Sequence, residues 1–151
     1  YSYFTAGVGT AVFHTGEKRQ WYIGGSARHI NQPLTNKYQS DSYRLPINRG
    51  IQAGYTTSIT DEDAIGGYAN LSWQNGSHEH IIGGQYTRNL GDSAASALSV
   101  GMGYRVGDAL IPGLGYKIGS SRFAFSYEFV IAGIARYYSR RSLEFSYTLT
   151  L

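Results

Sequence analysis

The stretch Leu98-Ser99-Val100-Gly101-Met102-Gly103-Tyr104-Arg105-Val106 decides the fold. Leu98, Val100, Met102, Tyr104 and Val106 share one parity, and Ser99, Gly101, Gly103 and Arg105 share the other. Successive side chains of a strand point to opposite faces, so this segment has one greasy face and one small or polar face. Helical spacing does not fit it. The same period appears elsewhere. Phe123, Phe125, Tyr127 and Phe129 alternate with Ala124, Ser126 and Glu128. Leu143, Phe145, Tyr147, Leu149 and Leu151 stand opposite Ser142, Glu144, Ser146, Thr148 and Thr150. Ile65, Ala69, Leu71 and Trp73 stand opposite Gly66, Tyr68, Asn70 and Ser72.

Extended along the chain, the alternation predicts eight or nine strands, over residues 2–14, 19–30, 48–59, 63–74, 78–89, 96–106, 109–119, 121–135 and 141–151. Turn signals separate them: His14-Thr15-Gly16-Glu17, Asp61-Glu62-Asp63, Asn75-Gly76, Gly91-Asp92-Ser93, Gly107-Asp108 and Gly119-Ser120-Ser121. One connection is long, polar and Pro-bounded, running from Asn31 to Pro46. No linker or second domain interrupts the pattern across the 151 residues, which suit a single domain.

Two architectures give such a pattern: a soluble antiparallel sandwich or barrel, and a transmembrane barrel. Soluble strands usually run about 5–6 residues, whereas a tilted membrane strand needs roughly 9–11. The segments here run about 10–13 on the alternation criterion. Face chemistry agrees with their length. The non-greasy parity is mostly Gly, Ser, Thr, Asn and Gln with few charges, too sparse for a solvated exterior and suited to a barrel's polar inside. Aromatics near strand ends (Tyr3, Phe13, Trp21, Trp73, Tyr137, Tyr138) fit interface girdles. The expected fold is an all-β antiparallel transmembrane β-barrel. Bacterial single-chain barrels have even strand counts, so a count of nine points to the C-terminal part of a larger barrel, with 1–151 forming one barrel domain.

Composition excludes other classes. Only 15% of residues are charged while 15% are aromatic, the reverse of a disordered chain. No apolar run approaches the roughly 20 residues of a spanning helix, and 20 glycines spread through the chain oppose helical bundles. The net charge of +3 comes from scattered basic residues, apart from the Arg140-Arg141 doublet, so no nucleic-acid partner is expected. With no cysteine, disulfide scaffolds and Cys-ligated metal sites are excluded.

Catalytic constellations are weak, and neither an enzyme nor a cofactor is expected. His78-Glu79-His80 puts two imidazoles on one face of a strand, but sequence places no third ligand, and a polar strand end beside Asn75-Gly76 accounts for them. Gly101-Met102-Gly103 and Gly113-Leu114-Gly115 precede strand rather than helix, so they lack the helix N-terminus of a phosphate loop. Small residues facing a crowded lumen explain them. Tyr68, Arg105, Lys117 and Glu128 are the bulky or charged candidates for that lumen.

Further segments carry a resemblance. Trp21-Tyr22-Ile23-Gly24-Gly25-Ser26-Ala27-Arg28-His29-Ile30-Asn31-Gln32-Pro33 is similar to a stretch of the PorP/SprF family of Bacteroidetes outer-membrane proteins, where such a strand leads into a long loop. Arg44-Leu45-Pro46 resembles that loop's return. Asp108-Ala109-Leu110-Ile111-Pro112-Gly113-Leu114-Gly115-Tyr116 with Phe123-Ala124-Phe125-Ser126-Tyr127-Glu128 resembles the penultimate hairpin, and Leu143-Glu144-Phe145-Ser146-Tyr147 the closing strand. One departure is that Arg140-Arg141-Ser142-Leu143-Glu144 replaces the family's Gly-Ser/Thr-His-Glu approach to that strand.

The resemblance implies a non-enzymatic component of the type IX secretion system in the bacterial outer membrane. It implies as partners other type IX components, outer-membrane lipid, and a secreted surface protein such as a gliding adhesin, engaged through its C-terminal domain. His29, Asn31, Gln32, Pro33, Arg44 and Pro46 are the candidates for contacting that partner or shaping the loop. Pro ends strands, while Asn and Gln bond local backbone. Two alternatives remain: a small closed barrel of the OmpX or PagP type, with a structural, adhesive or lipid-related role, and a porin-like channel.

Overall fold

The alternating segments form nine β-strands: β1 (Gly7–Thr15), β2 (Arg19–Arg28), β3 (Asn48–Ser58), β4 (Asp63–Gln74), β5 (Ser77–Asn89), β6 (Ser96–Arg105), β7 (Ala109–Ile118), β8 (Ser121–Val130) and β9 (Arg141–Leu149). The structure, a computed structural model, describes residues 3–34, 44–91, 96–131 and 141–150. Each strand pairs antiparallel with the next, giving one sheet in the order β1 to β9. Among the described residues there is no helix, and β1 and β9 are not paired with one another, so the sheet is open. The alternative of a small closed barrel built from these residues does not describe it: nine strands leave two edges.

Local chemistry sets the hairpins. Asn75 and Gly76 both adopt positive φ (48° and 79°), the two-residue turn whose twist matches antiparallel strands. Gly119 (φ 55°) opens the equally short turn between β7 and β8. Pro112 lies inside β7, and the β7–β8 ladder skips Ile111 and Pro112 while β6–β7 pairs through them. A proline has no N–H to donate, so the break faces β8.

Register fixes two faces. Phe13, Tyr22, Gly54, Tyr68, Gly83, Gly103 and Ile111 stand side by side across seven strands, on the parity that also carries Gln52, Asn70, Ser126 and Glu144. This face is concave: one groove of about 300 Å³ is lined jointly by Tyr68 of β4, Gly101 of β6, Ser126 of β8 and Glu144 of β9. Glycine lets large side chains lie along it. A Cβ at Gly54 would collide with the Tyr22 ring, one at Gly83 with the Tyr68 ring, and one at Gly103 would sit 2.9 Å from the Tyr68 hydroxyl.

The opposite face carries the greasy rows, and they are uncovered. Met102, Phe125 and Tyr147 are 50%, 51% and 53% exposed. The only buried apolar side chains among the described residues are Ala97 and Ala109. A water-soluble protein buries its large apolar side chains in a second layer; here they form the outside of a single layer. Trp21, Tyr55, Tyr86, Tyr116 and Tyr147 sit towards one end of the strands and Trp73, Tyr104, Tyr127 and Phe129 towards the other, with Ile23, Ile51, Leu71, Ile82, Val100 and Leu114 between. An apolar band between aromatic girdles is the exterior of a membrane barrel.

Some sequence expectations change. The first strand starts at Gly7 rather than at residue 2; before it the Asn31 side chain holds the Phe4 carbonyl and the Ala6 N–H, while the Ala6 carbonyl accepts the Ile30 N–H. The eighth strand is described as far as Val130, with the Ile131 N–H still donating to the Asp108 carbonyl at 2.7 Å, and residues 132–135 of the expected strand lie outside the described residues. Phe13 belongs to the concave row and not to a girdle, since the register sets it opposite Tyr22. Tyr137, Tyr138 and Arg140 lie outside the described residues.

The two faces predict opposite responses to charge. Val100→Arg, on the convex band, is expected to cost about 2–4 kcal/mol near the membrane midplane. Asn70→Arg, on the concave face, should cost less than about 1 kcal/mol, as surface substitutions do. Urea titration of the protein refolded into lipid vesicles measures both, and equal losses would reverse the assignment of faces.

Candidate functional site

The two ends of the sheet differ. One end carries the connections 16–18, 59–62, 90–95 and 119–120; the other carries 29–47, 75–76, 106–108 and 131–140, and so includes the longest. The family-like segment begins that longest connection, where β2 gives way to a turn with His29 at φ 58° and Gln32 at φ 41°.

His29 and Asn31 reach back to the chain just before β1. The Asn31 amide group donates from Nδ2 to the Phe4 carbonyl at 2.9 Å, and its Oδ1 accepts the Ala6 N–H at 3.0 Å. His29 Nδ1 lies 2.7 Å from the Thr5 hydroxyl, and the Ile30 N–H donates to the Ala6 carbonyl at 3.1 Å. One asparagine thus serves a donor and an acceptor of the strand entrance, a typical use of its bifunctional side chain. Gln32 closes the turn through its own N–H, given to the His29 carbonyl at 2.9 Å. At the loop's return, Leu34 and Arg44 form an isolated antiparallel bridge, and the Leu45 N–H donates to the Pro33 carbonyl at 2.9 Å. Gln74 Nε2 donates to the Pro46 carbonyl at 2.9 Å, tying the return to β4. All six sequence candidates therefore lie at the base of one connection, and the residues between 35 and 43 lie outside the described part.

Beside this base, the concave face holds a charge cluster. Arg105 at the end of β6 grips Glu128 of β8 with two parallel hydrogen bonds, Nη1 to Oε1 at 2.8 Å and Nη2 to Oε2 at 2.9 Å. Its Nη1 also reaches Asp108 at 3.1 Å, and its Nε lies 3.3 Å from Glu79 of β5. The pair spans β7, where Ala109, opposite Arg105 in the register, is completely buried. Arg105 and Glu128 keep only 24% and 19% of their side-chain surface. A bidentate guanidinium–carboxylate pair fixes direction as well as distance, so the cluster locks β5, β6 and β8 together at the loop-bearing end.

The sequence marked Arg105 and Glu128 as lumen candidates but not Glu79 or Asp108 as their companions, nor Phe4, Thr5 and Ala6 as partners of the loop base. Strand register carries the first signal: counting outward from the two-residue turn at Asn75-Gly76 fixes β5 against β4, and the short turn at 106–108 then places Arg105 beside Ala109. His78 and His80 lie on the convex parity with ring centroids 5.2 Å apart, His80 edge-on to Trp73. Among the described residues no group of three His, Asp or Glu side chains could hold a metal ion.

A bilayer-type exterior, a concave polar face and a clamped loop base are the features to compare with known proteins. The family described as type IX secretion system membrane protein PorP/SprF matches residues 1–149. The chain belongs to the PorP/SprF family. It is thus a type IX secretion system membrane protein, and its all-β sheet is that of a β-barrel family. No curated protein and no solved structure matches it.

The loop base of this PorP/SprF protein yields a direct expectation. Asn31→Ala removes both hydrogen bonds to residues 4 and 6, a loss of about 1–2 kcal/mol, equivalent to roughly 5- to 30-fold more frequent opening. Hydrogen exchange at the Ala6 amide reads it, and unchanged protection would show that the segment is held by other means.

Proposed function

We propose that this PorP/SprF chain is wall of an outer-membrane barrel that helps the type IX secretion system export or anchor one surface protein, such as a gliding adhesin, in a non-enzymatic role. The observation that carries the reading is the single-layer sheet with an uncovered apolar band on one face and a concave polar face on the other. Such a wall offers a partner two places only: the rim and the interior.

Membrane barrels keep short turns on the periplasmic side and longer loops outside the cell. On that rule the end bearing 29–47 and 131–140 faces outward. His29, Asn31, Gln32, Pro33, Arg44 and Pro46 then shape the base of an external loop, and the loop they shape meets the exported partner. In hydrocarbon each unpaired N–H or C=O costs several kcal/mol, so the free edges of β1 and β9 need further strands. We propose that the chain is part of a larger barrel that supplies them.

Deletion of the encoding gene, followed by quantitative proteomics of the cell surface, tests the role. One exported protein, or a small set, should leave the surface and collect in the periplasm or the medium. Unchanged surface levels of every type IX substrate would sink the proposal.

A further inference from the structure

Charge on the concave face is distributed unevenly. At the loop-bearing end Arg105 is matched by Glu79, Asp108 and Glu128. At the short-turn end Lys117 of β7 and Arg122 of β8 stand directly opposite one another in the ladder. Neither side chain has a hydrogen-bonding or ionic partner among the described residues. Their next neighbours in the register, Ala97 and Thr148, are uncharged. Like charges placed directly across a strand pair repel, and an anion between them would turn that repulsion into attraction.

The surroundings narrow the kind of anion. Arg122 lines two grooves at once, one shared with Ser126 and Glu144, the other, of about 320 Å³, shared with Gln20, Tyr22, Tyr68 and Gln85. Tyr22 and Tyr68 lie across glycines that leave no room for a Cβ beneath their rings. Both tyrosines line the second groove, with the Gln20 and Gln85 carboxamides beside them. Glu144, the one carboxylate lining a groove with Arg122, makes no ion pair with it among the described residues.

We infer that the short-turn end of the concave face binds an extended acidic polypeptide segment. Its carboxylates sit at Lys117 and Arg122, its backbone is hydrogen-bonded by Gln20 and Gln85, and its side chains rest on the Tyr22 and Tyr68 rings. Charge complementarity selects an acidic occupant. A peptide fits better than a lipid because both cations occupy the polar parity, turned away from the apolar band that meets hydrocarbon. The inference rests on the reading that the barrel handles an exported protein, and assigns the segment to that protein.

The test uses the full-length protein in detergent, titrated with a fluorescein-labelled peptide of alternating Glu and Thr and with its Gln-for-Glu counterpart. The acidic peptide should bind about tenfold or more tightly than the neutral one, with the difference shrinking as salt is raised. The double variant Lys117→Gln/Arg122→Gln should lose that advantage, Arg122→Lys should keep most of it, and heat-dependent gel mobility verifies that each variant is folded. Equal binding of the two peptides, or undiminished binding by the folded double variant, overturns the inference. So does displacement of the labelled peptide by short-chain phosphatidylglycerol in preference to unlabelled acidic peptide, which would give the cations to lipid. In cells the two ideas separate. If the deletion blocks export but the double variant restores it fully, the inference fails and the functional reading stands. If the deletion leaves export intact, the functional reading fails and the titration alone decides the inference.

Discussion

The antiparallel hydrogen-bond ladder holds this protein together, because among the described residues no packed core shares the work. Eight consecutive strand pairings join the nine strands, leaving the outer edges of β1 and β9, while the described residues bury only two apolar side chains, both alanines. In water such a sheet would leave its greasy rows without a second layer to cover them. In a bilayer the same rows need no covering, and the backbone pairing becomes worth more, since hydrocarbon offers no replacement for a lost hydrogen bond. The aromatic pairs at the β8–β9 side, Phe125 against Phe145 at 4.9 Å and Phe123 against Tyr147 at 5.2 Å, add sideways cohesion to the convex face.

That constraint shapes the concave face as well. A ladder curved around an interior crowds the side chains on its inner parity, and glycine relieves the crowding where a tyrosine crosses it, at Gly54, Gly83 and Gly103. Charges inside such a wall are arranged rather than scattered. The Arg105–Glu128 grip with its two further carboxylates stiffens the end where the long connections leave. Among the described residues, Lys117 and Arg122 at the far end have no counter-charge. The wall is thus braced by the Arg105 cluster at the end that carries the long connections.

The loop base ties the family-like segment to the sheet. His29 and Asn31 belong to the segment that resembles the family, and their bonds go to the chain that leads into β1. A loop secured at its root can vary along its length without disturbing the sheet, which is how membrane barrels place recognition on a rigid scaffold. Family membership agrees with this arrangement and supplies the secretion system in which it acts.

Strict alternation in stretches such as 98–106 and 143–151 determined the strands, their faces and the membrane-barrel class, because a period of two leaves one set of side chains on each side whatever the tertiary setting. Strand ends that depend on side-chain capture were not legible: nothing in the first residues announces that Asn31 will bond the Phe4 carbonyl and the Ala6 N–H. Phe13 was misplaced for a related reason, since its parity could be read but the face of that parity is set by pairing with Tyr22. The partners of Arg105 came only from register across β5 to β8, as did the unmatched opposition of Lys117 and Arg122. Local periodicity is written in neighbouring residues; contacts between distant strands depend on cumulative register, which each turn shifts and only the folded sheet adds up.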